Sequence, residues 1–399
     1  MQKGISQRDA AKIVGVSYGT LGRWIKDGKV EDVARDRNTY RIFTTEDIAR
    51  IKEYADSIQY SSPRDAADTK PCSYTVASFF AGIGGFDIGF EQAGFSTKFQ
   101  CEVEPFCLSI LKQHWPNVPK WGDITTLENA KIPLSDVWVG GFPCQDLSLA
   151  RMGQREGLRG TKSRLFHEFA GLVRESKPRV LVLENVAGLL SSHGGNDFSI
   201  LLQTLAELGY SVGWRTLNSR YFGVPQSRQR VYIVGCLGDR RGPGAILFES
   251  ERGAGSTEEG RPNGKKPAST LPAIVGDISG DGPVIQAVAY CLYATSARHT
   301  GTDWSRNYAC YPKSGRIRRL TPAECEGVMT FPANWTKLNE LHLDTEQLDS
   351  ARYHALGNAV TPPVAHWLAK RIRLYLEMVD AEKAKRQTRT RQLVPELVG

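Results

Sequence analysis

Of the eight cysteines in this 399-residue chain, Cys144 has the surroundings of a reactive one. An apolar stretch, Val137 to Val139, runs into Gly140-Gly141-Phe142-Pro143, so Cys144 falls just past the end of a strand. Ligands gather at that edge in open α/β sheets. A thiol there becomes a nucleophile once ionised, but an unperturbed pKa of about 8.5 leaves only a few per cent thiolate near neutrality. Arg151, Arg155, Arg228 and Arg230 are the candidates for raising that fraction. The competing reading is a buried structural thiol, the usual fate of a single cysteine; the Gly-Gly and Pro before Cys144 weaken it. The other cysteines are scattered without a C-x-x-C pair, which argues against a zinc cage, and a reducing compartment argues against disulfides.

A second group of residues has the pattern of a nucleotide-like cofactor site. The run Phe80-Ala81-Gly82-Ile83-Gly84-Gly85-Phe86 follows a β-prone stretch, and its glycines let a ligand approach the backbone. Glu102 ends the next strand, placed to accept from both ribose hydroxyls of an adenosine. Asp123, in Trp121-Gly122-Asp123-Ile124, is suitably placed for an adenine amino group. Dinucleotide oxidoreductases and S-adenosylmethionine enzymes both use this geometry. The spacing here is G-x-G-G rather than G-x-G-x-x-G, so the third glycine needed for close pyrophosphate packing is missing. S-adenosylmethionine has no phosphate, which favours the methyl donor without deciding for it.

These residues need a scaffold, and the hydrophobic pattern predicts one. Strands are expected at Thr75 to Phe80, Thr97 to Val103, Val137 to Val139, Val180 to Leu183 and Val231 to Val234. Helices are expected at Phe86 to Ala93, along the face carrying Leu165, Phe166, Phe169, Leu172 and Val173, and from a cap at Asp197 to Gly209. Alternating strands and helices specify a doubly wound α/β sheet. The pattern breaks down from about Asp239 to Ile317, which reads as a floppy insertion or a small separate domain. Regular structure resumes at Thr321, a last helix follows Pro362-Pro363, and Lys383 to Arg391 reads as a solvated basic tail.

The first 58 residues form a separate unit. Ser6 can cap a helix to Val14, with Asp9 completing a capping box. Gly15 allows a turn, Ser17 starts a second helix with Leu21, Trp24 and Ile25, and Gly28 ends it. Asn38 to Phe43 is a candidate wing, and Thr44 or Thr45 caps a helix with Ile48, Ile51 and Ala55 inward. The unit resembles the helix-turn-helix of the MerR family of regulators, which implies DNA binding; an ordinary three-helix module is the bland alternative. Residues 59–73, polar and holding two prolines, read as a linker.

Five segments then occur in order: Phe80 to Gly85, Pro143-Cys144-Gln145, Glu184-Asn185-Val186, Gln226-Ser227-Arg228-Gln229-Arg230 and Gly357-Asn358-Ala359-Val360. Together they resemble the motif set of the DNA cytosine-5 methyltransferases, over about Tyr74 to Arg373. The resemblance implies a Rossmann-like methyltransferase sheet that takes S-adenosylmethionine and acts on double-stranded DNA. Cys144 would add to carbon 6 of a flipped-out cytosine, making carbon 5 nucleophilic. Glu184 would share a proton with ring N3 if burial raises its pKa. Arg230 would hold the cytosine O2 region, Arg228 support the active-site loop or a phosphate, and Asn185 orient the loop around Pro143. Gln145 and Ser148 would contact DNA. The glycine turn (Gly82 to Gly85), Phe80, Glu102 with Val103, Asp123 with Ile124, Pro143, Leu165, Asn358 and Val360 would surround the donor. The domains implied are 1–58 helix-turn-helix, 59–73 linker, 74–238 catalytic, 239–317 target recognition, 318–380 return to the catalytic part and 381–399 tail. Ser78 departs from the family, many of whose members carry Asp there.

A net charge of +8 suits a polyanionic partner without proving one. Met1 to Ala11 is polar and there is no long apolar run, so a cytosolic protein without membrane contact is expected. A single copy acting on DNA is expected, and a companion restriction endonuclease is left open. The rival readings are a tRNA cytosine-5 methyltransferase and a regulator with a methylase-derived domain that has lost activity.

Overall fold

The computed structural model describes residues 5–14, 18–26, 28, 30–34, 40–51, 71–143, 163–248, 289–292, 308–311, 316–338 and 345–393. Seven strands make one sheet: β1 Thr75–Phe79, β2 Ser96–Cys101, β3 Lys120–Trp121, β4 Val137–Gly140, β5 Val180–Val186, β6 Tyr210–Asn218 and β7 Gln229–Leu237. Their spatial order is β3-β2-β1-β4-β5-β7-β6. The first five run parallel, while β7 runs antiparallel to both of its neighbours. The chain leaves β1 in one direction and returns to β4 on its other side. The crevice between those two strands is therefore the switch point at which such sheets bind ligands.

Strands buried on both faces read as continuous apolar runs, and β4 and the first six residues of β5 are buried throughout. On one face Val76, Val137, Val139 and Val182 meet the helices Gly85–Gln92 and Pro362–Leu393. Gly89 permits that helix contact: a Cβ there would lie 2.5 Å from the Cβ of Ala365. On the other face Phe79, Trp138 and Leu181 meet Phe166, Phe169, Phe198 and Leu201 from the helices Ser163–Ser176 and Asn196–Glu207. The expected fold class is present.

Several expectations need correction. The helix expected to be capped by Asp197 is capped by Gly195 in a left-handed conformation (φ 89°), and Asp197 is buried in its first turn. Strand β6 was not foreseen, because Gly213 and a partly exposed Trp214 break its alternation. Regular structure also runs past Asp239. The helix Gly242–Leu247 lays Ile246 and Leu247 in the core, and Arg371 donates to the Ala245 carbonyl at 2.7 Å. The expected tail from 381 is instead a continuation of the last helix to Leu393. Most of the expected recognition domain lies outside the described residues. Its described pieces include Ala289–Tyr290, parallel to Gln226–Ser227, and the hairpin of Tyr308–Tyr311 with Arg316–Arg319.

In the N-terminal unit the helices Gln7–Val14 and Tyr18–Lys26 and a third at 45–51 enclose Ala10, Leu21, Ile25, Phe43, Ile48 and Ile51. Ser6 Oγ accepts from the Asp9 amide at 3.2 Å, and Thr44 with Asp47 forms a full capping box. Ile42–Phe43, the end of the expected wing, pairs with Ile5–Ser6. Gly15, Ser17, Asn38, Ala55 and the linker up to Lys70 lie outside the described residues. Among the described residues no helix is long and apolar enough to cross a membrane, and no group of three His, Cys, Asp or Glu could hold a metal ion.

Candidate active site

All the functional segments that are described converge on one edge of the sheet. β1 to β5 end there, and β7 begins there because it is antiparallel, with Arg230 opposite Val186. The glycine turn after β1 is left-handed at Phe80, Gly82 and Gly84 (φ 51°, 57° and 85°). Only glycine fits its second half. A Cβ on Gly84 would come within 2.4 Å of the Trp115 ring, and one on Gly85 within 2.1 Å of the Val360 carbonyl oxygen. A Cβ on Gly82 or Gly122 would meet nothing within 4 Å, so the space above the turn is open.

Glu102 faces that space. Its Oε2 accepts from the Gly82 amide at 2.7 Å and its Oε1 from the Glu104 amide at 2.8 Å. Burial pushes its pKa up, and the backbone amides at Glu104, Gly82 and Val103 pull it back. Val103 is 66% exposed at the rim, beside the Glu102 carboxylate. Asp123 is exposed and accepts from the Thr125 amide at 2.9 Å, while Ile124 is buried behind it. Phe80 and Leu165 are half-buried. Val360 is buried against the turn, and Asn358 is exposed at the end of the helix Thr345–Asn358. Open backbone, a poised acid and an apolar rim fit an adenosine.

The second half of the site lies across the switch point. Asn185 Nδ2 donates to the Phe142 carbonyl at 2.9 Å, and its Oδ1 accepts from the Val186 amide. This clasp fixes the backbone immediately before an exposed Pro143. Glu184 is buried (7% exposed), with Arg230 Nε 3.1 Å from its Oε1. Among the described residues that oxygen receives no aligned hydrogen bond. Burial pushes the Glu184 pKa up, and the charges of Arg230 and Arg228 oppose the rise. Burial of this kind favours the protonated carboxyl, the form that can give a proton to a base.

Arg228 and Arg230 do not share one task. Arg228 is 3% exposed and donates to the Leu292 carbonyl at 3.1 Å and the Gly357 carbonyl at 3.0 Å. It supports the surrounding loops and is too deeply buried for the phosphate contact that was one of its expected roles. Cys144, Gln145 and Ser148 lie outside the described residues, as do Arg151 and Arg155. Residues given no role from the sequence also matter. Gln226 donates to Met329 Sδ at 3.0 Å and accepts from the Leu292 amide, and Trp335 donates to the Ile83 carbonyl. No local pattern marks either partner, because the residues they meet are more than sixty positions away.

The family model for C-5 cytosine-specific DNA methylases matches residues 74–281 and 277–374, most of the chain. This chain belongs to that family. Its activity is that of a DNA cytosine-5 methyltransferase. The model for MerR helix-turn-helix regulatory proteins matches residues 5–55, the stretch that holds the capped helices. The chain is 28% identical to the Type II methyltransferase M.MspI of a Moraxella species over 416 aligned residues, covering 95% of this chain and 94% of that one. It is 27% identical to M.SsoII of Shigella sonnei, covering 92% and 94%. Solved structures share the methylase fold. Dnmt2 of S. pombe superposes with a TM-score of 0.53 at 17% identity over 76% of this chain and 99% of its own. A putative DNA modification methyltransferase from an E. coli prophage gives 0.53 at 17% identity over 76% and 100%.

Proposed function

We propose that Cys144 is the nucleophile of this methylase, that Glu184 is its acid and that S-adenosylmethionine occupies the open edge above Gly82. The observation that carries the reading is the buried Glu184–Arg230 pair, one residue before the Asn185 clasp on Phe142. Glu102 would take the ribose hydroxyls, Asp123 the adenine amino group and Val103 the adenine face, with Phe80, Leu165 and Val360 closing the sides. When bound there, the sulfonium supplies an electrophilic methyl group.

Carbon 5 of cytosine is a poor nucleophile. Addition of the Cys144 thiolate to carbon 6 moves electron density toward N3 and O2. Glu184 shares its proton with N3, and Arg230 faces O2. Once carbon 5 carries the methyl group, loss of its proton and elimination of Cys144 return the thiolate and release 5-methylcytosine. The base must leave the duplex, at a cost of a few kcal/mol. Gln145 and Ser148 would contact the opened strand, and residues 249–317 would read the target. A role in restriction-modification or in protecting phage DNA fits the reading, with a companion endonuclease in the first case and a single copy acting on DNA in either.

The test is a duplex carrying 5-fluorocytosine at the target. Fluorine cannot leave carbon 5 as a cation, so the enzyme should stay attached after methyl transfer. The adduct should need S-adenosylmethionine to become irreversible. Peptide mapping should place it on Cys144; attachment through another cysteine contradicts the assignment. A parallel assay on tRNA separates the RNA-modifying reading: transfer to tRNA with none to duplex DNA would overturn the DNA substrate.

For the N-terminal unit we propose independent DNA binding, at the enzyme's own promoter, as a regulator would bind. A chain starting at Thr69 should keep the same methylation pattern across a genome. It should also bind DNA with a shallower dependence on salt, because fewer phosphates are neutralised. A change in which cytosines are modified would mean that the unit takes part in target choice.

A further inference from the structure

We infer that Trp335, on the segment returning from the recognition region, is a positioning residue that holds the glycine turn in its donor-binding shape. The inference rests on the cofactor site proposed above. Trp335 Nε1 donates to the Ile83 carbonyl at 2.9 Å, and both residues are buried. Ile83 lies between Gly82 and Gly84, both left-handed and without side chains of their own. The peptide group joining Ile83 to Gly84 is nevertheless held at both ends. Its carbonyl accepts from Trp335, and its N–H donates to the Ala81 carbonyl at 3.0 Å. A buried carbonyl without a partner is costly. Loss of the indole N–H would leave the Ile83 carbonyl without its donor, so the peptide would tilt toward another partner about its remaining bond to Ala81 and draw the Gly82 amide from Glu102.

The indole itself is fixed from several sides. It stacks on His114 with centroids 3.5 Å apart and planes 2° from parallel, and His114 Nε2 lies 2.9 Å from the Trp335 carbonyl oxygen. It also meets Trp115 edge-on at 5.5 Å, the ring that occupies the space a Gly84 side chain would need. The next residue, Thr336, is locked by a buried network. Its amide donates to Glu326 Oε1 at 2.9 Å, and Arg352 donates to both Thr336 Oγ1 and Glu326 Oε1. Trp335 is therefore a strut whose position is set by the return segment. Glu184 and Arg230, across the switch point on β5 and β7, do not contact it.

Trp335→Phe keeps a stacked ring and removes only the donor and part of the packing. Calorimetry should find S-adenosylmethionine bound roughly five- to tenfold more weakly, the worth of one neutral hydrogen bond. KM for the donor should rise equally, while kcat at saturating donor and KM for DNA stay within about twofold. Phe331→Leu trims the same cluster without touching the N–H, so donor binding should remain near wild type. Trp335→His, which restores a ring N–H, should recover affinity. Unchanged donor affinity in Trp335→Phe overturns the inference. So does an equal loss in Phe331→Leu, or a His variant that melts normally yet stays weak. Wild-type protein that fails to bind the donor, or binds it undiminished in Glu102→Ala, overturns the cofactor reading and this inference with it.

Discussion

The Cys144→Ala enzyme is expected to bind S-adenosylmethionine as tightly as the wild type and to methylate nothing. The two halves of the site sit on different strands, which is why the functions separate. The donor side is built from the turn after β1 and the end of β2, where Glu102 holds the Gly82 amide. The base side is built from the ends of β4 and β5, where Asn185 holds the Phe142 carbonyl. That clasp is on the main chain and survives loss of a thiol two residues later. Without the thiolate, carbon 5 remains too weak a nucleophile to take a methyl group. The rate should fall by at least about 10⁴-fold, as removal of a covalent nucleophile does elsewhere. Calorimetry and a methylation assay on one preparation check both halves. Turnover at a few per cent of wild type would remove Cys144 from the mechanism, and lost donor binding would show that the halves are not separable.

The parts legible in the sequence are those set by local chemistry. The G-x-G-G spacing after an apolar strand placed the turn, and the acid at the end of β2 placed its partner; in the structure Gly82 and Glu102 are hydrogen-bonded. Helix caps at Ser6 and at Thr44, one of two candidates there, and the apolar runs of β4 and β5 were equally readable, because each depends on neighbours a few residues away. What could not be read depends on distant partners. Arg228 and Arg230 are two positions apart and look alike locally; the family resemblance separated their roles, but spacing did not show their partners. One turns to the carbonyls of Leu292 and Gly357, the other to Glu184. The continuation of the core past Asp239 was hidden because Gly242, Pro243 and Gly244 suggest a loop. There Gly242 has no room for a side chain, since a Cβ would lie 2.4 Å from Cys236 Sγ. Composition suggested irregularity where close packing was the cause.

Glu184→Gln should leave the fold and donor binding intact and lower kcat by roughly 10² to 10⁴-fold, the range for a removed general acid. Glutamine matches the carboxyl in shape but has no proton to transfer to N3. The pH behaviour distinguishes this role from a purely structural ion pair with Arg230. Burial raises the Glu184 pKa, and the two arginines oppose the rise without cancelling it. In the wild type, kcat should fall as pH climbs through that raised value and the acid is lost; the variant should lack this limb. Stability carries the same sign. The folded state holds the Glu184 proton to higher pH than the unfolded chain does. Its contribution is therefore full below the ordinary glutamate pKa of about 4.3 and disappears as pH rises through the raised folded value. The melting temperature of Glu184→Gln minus that of the wild type should increase across that window, even if the variant starts lower because Arg230 loses its partner. A difference that stays flat with pH, or a kcat within tenfold of wild type, would leave Glu184 as Arg230's counter-ion and return the search for the N3 proton donor to residues 144–162.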